Sequence, residues 1–171
     1  MKNLLALAAI LVFAVSISAQ MSAKPTFAAL AMDGSKVDIA VLRGKVVVLN
    51  LWFINCMNCI EEIKTLNALV DEYQDNKNVV FLGLASSTKA DIQKFLVKNP
   101  FKYEIVPDAQ MIILGKFGDV GKDGEMSVAF PMHYVLDRDG NITVKAQGIK
   151  GIDAVRGELK KQFPLRSVGS H

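Results

Sequence analysis

Residues 50–62, N-L-W-F-I-N-C-M-N-C-I-E-E, constrain the fold of this chain more than any other stretch. Residues 45–52 form a run of valines and leucines that is typical of a strand buried on both faces. Residues 60–73 carry apolar side chains at helical spacing, which predicts an amphipathic helix. Cys56 and Cys59, the only two cysteines, therefore lie where a strand ends and a helix begins.

This position favours thiol chemistry. The start of a helix offers unpaired backbone N–H groups and a partial positive charge, which together favour a thiolate and lower the pKa of a thiol. Two cysteines spaced C-x-x-C can also close a disulfide within one helical turn. The pair is thus suited to dithiol/disulfide exchange. A zinc site is disfavoured because zinc needs about four ligands, and His133 and His171 are the only histidines. A purely structural disulfide is the other alternative, although so short a loop contributes least to stability.

The first 19 residues indicate export. A short positive start, an apolar run over residues 4–15 and small residues before Ala19-Gln20 predict a secretory signal peptide. An uncleaved N-terminal anchor is the alternative, because the apolar run is borderline in length. Residues 20–171 are then expected to form a single domain. The net charge of +3, without a basic block, argues against binding to nucleic acid.

The rest of the chain alternates strand and helix patterns. A hairpin turn is predicted at Asp33-Gly34-Ser35, and a mobile loop at residues 118–127. Strands are predicted at 79–85, 104–106, 132–136 and 141–146, and helices at 89–98, 108–117 (capped by Asp108) and 152–163, the last after a loop at 148–151. This order predicts an α/β fold with a central mixed sheet, helices on both faces and an N-terminal β-hairpin extension. A C-x-x-C beside a βαβ pattern is typical of a thioredoxin-like redox protein.

Residues 45–62, together with Phe130-Pro131 and the strand that follows, resemble the extracytoplasmic thiol-disulfide oxidoreductases of the TlpA/ResA type. These are thioredoxin-fold proteins of the wider redoxin group. The likeness covers roughly residues 25–163 and is specific at the C-x-x-C and at 131–137. Asp33-Gly34 and the G-K-V-V-V-L-N-L-W run of residues 44–52 also match the family pattern.

The resemblance implies roles for individual residues. Cys56 is expected to be the nucleophile and Cys59 the buried resolving thiol. Pro131 matches the cis-proline that faces the disulfide and exposes the backbone of Phe130 to an extended substrate. Glu62 matches an acidic residue that can modulate the thiol pKa or pass a proton, with a solvated helix charge as the alternative.

Three further positions are expected to contact substrate, and the chain departs from the family pattern in three places. Trp52, Met57 and Asn58 are the expected contacts, beside Phe130. Asn55 replaces a common tryptophan, and Met57-Asn58 replaces a pair that often holds proline. Asn50 stands where thioredoxin has a buried aspartate, and it cannot act as a base.

The function implied by the resemblance is reduction of disulfides in protein partners. Electrons would come from a membrane thiol donor, with substrates such as apocytochrome c during cytochrome c biogenesis. The protein is expected to be a periplasmic monomer that needs no metal and no organic cofactor, although oxidation or isomerisation stays open. A Cu(I) chaperone using Cys56, Cys59 and His133 is the alternative, because soft sulfur ligands select Cu(I). A peroxidase is disfavoured because residues 52–55 lack the threonine that such a site needs.

Overall fold

A computed structural model describes residues 24–164 of the chain. The predicted signal peptide therefore lies outside the described residues. The strands are β1 (Ala28–Leu30), β2 (Lys36–Asp38), β3 (Val46–Trp52), β4 (Val79–Ala85), β5 (Glu104–Val106), β6 (Asp119–Val120), β7 (Met126–Ser127), β8 (Met132–Leu136) and β9 (Ile142–Gln147). The helices are α1 (Met57–Glu72), α2 (Lys89–Leu96), α3 (Gln110–Phe117) and α4 (Gly148–Gln162).

The central feature is a five-stranded mixed sheet in the order β5-β4-β3-β8-β9. Strand β3 lies in the middle of the sheet because six of its seven residues are apolar; all seven are buried, and Asn50 is the one polar residue among them. It pairs parallel with β4 and antiparallel with β8, and this register places Asn50 between Gly83 and His133. The predicted N-terminal hairpin is present as β1 paired antiparallel with β2.

Helices cover both faces of the sheet, as predicted. Alternate side chains of β3 point to opposite sides, so Val46 and Val48 pack with α1 and α4, whereas Leu49 and Leu51 pack with α3. Helix α2 lies on the same side as α1, where Ile92 packs near Trp52. Within residues 24–164, no helix is both long and apolar enough to cross a bilayer.

Three predicted elements were wrong in detail. Residues 118–127 are not simply a loop, because β6 and β7 pair antiparallel there. Helix α4 begins at Gly148, so the predicted loop at 148–151 is helical. Asp108 does not cap α3, which starts after Ala109 without a side-chain cap. Its carboxylate instead accepts a hydrogen bond from the Lys89 N–H at the start of α2, at 3.2 Å.

Candidate active site

The cysteine pair lies at the junction of β3 and α1. Cys56 is the N-cap of α1, with extended backbone angles, and its carbonyl accepts the first helical bond from the Ile60 N–H at 3.1 Å. The loop that leads to it is held by the Ile54 N–H, which donates to Ser87 Oγ at 3.1 Å. The sequence therefore places Cys56 where a side chain must satisfy free helical N–H groups.

Cys56 and Cys59 form a disulfide, with a Cα–Cα distance of 5.2 Å. The N–H of Cys59 points to Cys56 Sγ at 3.2 Å. This contact and the positive end of α1 both favour negative charge on the first sulfur when the bond opens. Cys56 is therefore the better placed of the two cysteines to act as a thiolate.

The surface around the disulfide is formed by the residues between the cysteines and by the aromatic side chains beside them. Met57 is 70% exposed and Asn58 is also exposed. The Phe130 ring is half-buried and lies edge-on to the Phe53 ring, with centroids 5.2 Å apart. Phe130 packs against the apolar cluster that contains both cysteines. Met57, Asn58 and Phe130 are thus available to a partner that approaches the disulfide.

Pro131 follows Phe130, and the bond between them is cis, as predicted. Pro131 itself is buried, and its carbonyl accepts a hydrogen bond from the Gly148 N–H at 3.3 Å. The proline loop is therefore tied to the first residue of α4 and packs, through Phe130, on the side of the molecule that holds the cysteines.

Trp52 does not lie where the sequence suggested. Its side chain is 1% exposed and stacks on Phe101, with centroids 4.6 Å apart, while Phe95 packs against it. The indole is large and apolar, and it is covered at the end of β3 by Phe95 of α2 and by Phe101 in the segment after that helix. Trp52 therefore supports the cysteine loop from behind and does not contact solvent in this conformation.

Glu62 is buried in the face of α1 that packs on the sheet, together with Cys59 one turn earlier. Its side chain is 3% exposed, and Oε2 lies 3.1 Å from Nε2 of His133, whose side chain is fully buried. Glu62 is therefore not a solvated helix charge. A carboxylate buried in this way needs a hydrogen-bonded partner, and His133 supplies it.

The polar contacts continue through the sheet. His133 Nδ1 lies 3.4 Å from Nδ2 of Asn50, and Asn50 Oδ1 accepts a hydrogen bond from the Tyr103 hydroxyl at 3.1 Å. Burial raises the pKa of Tyr103 well above its ordinary value, and the negative charge of Glu62 raises this pKa further. Tyr103 therefore remains protonated and available as a donor.

The contacts of His133 also concern the alternative in which it binds Cu(I) with the two cysteines. Both ring nitrogens of His133 face other side chains, Glu62 and Asn50. Within residues 24–164, no group of three or more His, Cys, Asp or Glu side chains is arranged to hold a metal ion. The geometry gives no support to a site that combines His133 with the two sulfurs.

Sequence reasoning identified Glu62 but missed its partners. His133 is 71 positions away along the chain and meets Glu62 only because β8 pairs with β3. The available signal was the lone histidine in an otherwise apolar strand, directly opposite a lone asparagine in β3. Tyr103 lies just before the short edge strand β5 and gave no comparable signal.

The mixed sheet, the C-x-x-C disulfide at a helix start and the cis-proline define a thioredoxin-like thiol-disulfide oxidoreductase. The chain belongs to the AhpC/TSA family, which matches residues 21–145. A curated relative, the thiol-disulfide oxidoreductase ResA of Bacillus thuringiensis, is 28% identical over 141 residues, which cover 82% of this chain and 76% of that protein.

Solved structures agree with this fold. The thioredoxin domain of a thiol-disulfide oxidoreductase from Bacteroides vulgatus has a TM-score of 0.65 at 19% identity, covering 80% of this chain and 94% of that one. A secreted disulfide oxidoreductase of Mycobacterium tuberculosis has a TM-score of 0.62 at 23% identity, covering 81% and 97%. The predicted thioredoxin-like fold and the TlpA/ResA-type resemblance are confirmed.

Proposed function

We propose that this protein reduces disulfide bonds in protein partners outside the cytoplasm, through the Cys56–Cys59 dithiol. The observation that carries the proposal is the position of Cys56 as the N-cap of α1, with the Cys59 N–H aimed at its sulfur. That arrangement stabilises a thiolate on Cys56, and a thiolate is the species that attacks disulfides.

In the proposed cycle, the Cys56 thiolate attacks one sulfur of a partner disulfide and forms a mixed disulfide, while the other partner sulfur leaves as a thiolate. Cys59 then loses its proton and attacks Cys56, which releases the second partner thiolate. Two electrons pass to the partner, and the Cys56–Cys59 disulfide forms. Glu62 lies one turn from Cys59 and is the proposed acceptor of its proton.

The proposed substrate contacts lie around the disulfide. Pro131 holds the backbone of Phe130 beside the cysteine cluster, where an extended partner segment can pair with it. Met57 and Asn58 are exposed between the two cysteines and would contact the same segment. Trp52 is buried, so its proposed role is to support the cysteine loop and not to contact the partner.

Reduction is favoured as the direction by the TlpA/ResA-type resemblance. In that role, a membrane thiol donor would regenerate the dithiol, and apocytochrome c would be one substrate. The predicted signal peptide supports a periplasmic location, with the protein acting as a monomer. Neither a metal nor an organic cofactor takes part in the cycle.

The reduction potential of the Cys56–Cys59 pair, measured against dithiothreitol and glutathione, tests the direction of electron flow. We expect the pair to be more reducing than glutathione. A potential as oxidising as that of a disulfide donor would contradict the proposed direction, and failure to form a dithiol/disulfide couple would contradict redox function altogether.

Trapping variants test the roles of the two thiols. We expect Cys59→Ser to accumulate mixed disulfides with partner proteins, because Cys56 attacks but nothing resolves the product. Cys56→Ser is the matched control and should trap few. Equal trapping by both variants would refute the assignment of the nucleophile.

A further inference from the structure

The buried polar side chains behind the cysteines form one continuous chain of hydrogen bonds. It runs from Tyr103 through Asn50 and His133 to Glu62, with donor–acceptor distances of 3.1, 3.4 and 3.1 Å. It crosses the sheet at β3 and β8 and ends on α1, one turn from Cys59.

The donors along this chain all point the same way. Tyr103 donates to Asn50 Oδ1, so the amide nitrogen of Asn50 faces Nδ1 of His133. With the Asn50 amide in this orientation its nitrogen donates, which assigns Nδ1 of His133 as the acceptor. The proton of the neutral ring is then on Nε2, which donates to Glu62 Oε2.

Two glycines of α4 lie beside the Glu62–His133 pair: a Cβ on Gly148 would lie 3.8 Å from Glu62 Oε1, and one on Gly151 would lie 2.8 Å from His133 Cδ2. The N-terminus of α4 therefore approaches the carboxylate with its positive end and without a side chain.

We propose that His133 is a positioning residue for the second step of disulfide exchange: Asn50 and Tyr103 keep it neutral, and its Nε2–H holds ionised Glu62 ready to accept the Cys59 proton. The inference rests on the proposed function, since it concerns resolution of the mixed disulfide. In this proposal Asn50, which cannot act as a base, determines which ring nitrogen of His133 carries the proton.

Resolution of the mixed disulfide transfers one proton and exchanges one S–S bond for another. Cys59 transfers its thiol proton to Glu62, and the sulfur attacks Cys56 Sγ. The bond between Cys56 and the partner sulfur breaks, the partner leaves as a thiolate, and the Cys56–Cys59 bond forms. Glu62 becomes neutral and later returns the proton to solvent or to the leaving thiolate. The two electrons end on the partner, and no other reactant is needed.

The arrangement also explains why the proton goes to Glu62 and not to the histidine. A second proton on His133 would place an N–H at Nδ1 against the Asn50 N–H, so two donors would face each other. Charging the ring would therefore require the amide to turn, and the Tyr103 hydroxyl would then accept from Asn50 in place of donating to it. Oε1 of Glu62, beside Gly148, can accept a proton without disturbing any of these bonds.

Nitrogen-15 NMR of the oxidised protein tests the protonation of His133 independently of activity. The chain has two histidines, so a His171→Ala background leaves a single signal. We expect the neutral Nε2–H tautomer between pH 5.5 and 8. Imidazolium, or the Nδ1–H tautomer, at pH 7 would overturn the proposal. Asn50→Asp replaces the donor at Nδ1 with an acceptor and should convert the ring to imidazolium.

Single-turnover reaction of the reduced protein with dithiobis-nitrobenzoate tests the proton transfer. The first thionitrobenzoate is released when Cys56 attacks, and the second when Cys59 resolves the mixed disulfide. We expect Glu62→Gln and His133→Leu to slow the second release at pH 7 by tenfold or more and to shift its pH profile upward, as loss of a general base does. The combined variant should be no slower than Glu62→Gln alone, because the two residues act as one unit.

Two further variants complete the test. His133→Gln keeps an N–H donor at a similar reach and should restore the second release to within about threefold of the parent, whereas a rate as slow as that of His133→Leu would overturn the positioning role. Glu61→Gln removes an exposed neighbouring carboxylate and should leave both releases unchanged. Loss of the first release would contradict the proposed function, while a normal second release in His133→Leu would contradict this inference alone.

Discussion

Two glycines in helix α4 should respond oppositely to the same substitution. A Cβ on Gly151 would lie 2.8 Å from His133 Cδ2 and 3.0 Å from backbone atoms of Ala146, whereas a Cβ on Gly157 would meet nothing within 4 Å. Gly157→Ala should therefore show only the gain in helix propensity, about 1 kcal/mol. Gly151→Ala has the same gain in helix propensity, but its new methyl group must displace the His133 ring and the backbone of β9. That ring is in contact with other side chains at both nitrogens.

The size of the expected change in the free energy of unfolding depends on which atoms the new methyl group would contact. Overpacking a well-packed interior costs about 1–3 kcal/mol, and contacts to backbone and to a fixed ring place this site in the upper part of that range. After the propensity gain is subtracted, Gly151→Ala should lower the free energy of unfolding by about 1–2 kcal/mol. For a domain of this size, the Tm of Gly151→Ala should be lower than that of the parent by roughly 3–6 °C. The Tm of Gly157→Ala should be higher by roughly 3 °C.

Urea and thermal unfolding of the two oxidised variants, followed by circular dichroism, would measure this difference. Gly151→Ala should also slow resolution by Cys59, because the displaced ring is the one that holds Glu62, and Gly157→Ala should not. Equal stabilisation by both substitutions would refute the argument from close approach.

Three other outcomes are expected. In the reduced protein, Cys56 should alkylate much faster than Cys59 at neutral pH, which timed labelling and mass spectrometry would show; equal rates would contradict the assignment. Burial raises the pKa of Tyr134 from 10.0 to about 12, so the unfolded chain ionises first and the free energy of unfolding should fall as pH rises between these values. Tyr134→Phe should make that fall smaller. If the variant keeps the same pH dependence of unfolding as the parent, the pKa of Tyr134 is not raised in the folded protein. In competition with a Cu(I) chelator, the reduced protein and His133→Ala should both bind weakly and alike; tight binding lost in His133→Ala, without disulfide reductase activity, would favour a copper chaperone.

Local sequence signals were sufficient for most of the fold. The apolar run of β3, the cysteine spacing and the helical periodicity of α1 are short-range patterns that the structure reproduces. The start of α4 was missed because its first turn contains Gly148 and Gly151, which weaken a helix in isolation. Gly148 is favoured by its positive φ of 70°, and Gly151 by its close approach to His133 and to the Ala146 backbone.

The candidate site was only partly accessible to the sequence. The spacing of the cysteines identified the redox pair, and the family resemblance identified Pro131 and Glu62. The sequence does not distinguish a buried carboxylate at position 62 from a solvent-exposed one. The difference depends on His133, which long-range pairing of β3 with β8 brings opposite Asn50. Burial of Trp52 likewise depends on Phe101, which lies beyond α2 and carries no pattern that predicts the contact.

Each of the two outer strands of the sheet carries a feature that disfavours further pairing. At one side, the Met32 N–H donates to the Ile105 carbonyl of β5 at 2.9 Å, and β5 is only three residues long. At the other side, β9 exposes Lys145, which forms an ion pair with Asp119 of the β6–β7 hairpin. Unprotected sheet edges are templates for another chain, and short edges or an exposed lysine suppress that pairing. Within residues 24–164, a strand added to the sheet would therefore meet either a three-residue edge that is already bonded at Ile105 or an edge that carries an ion-paired lysine.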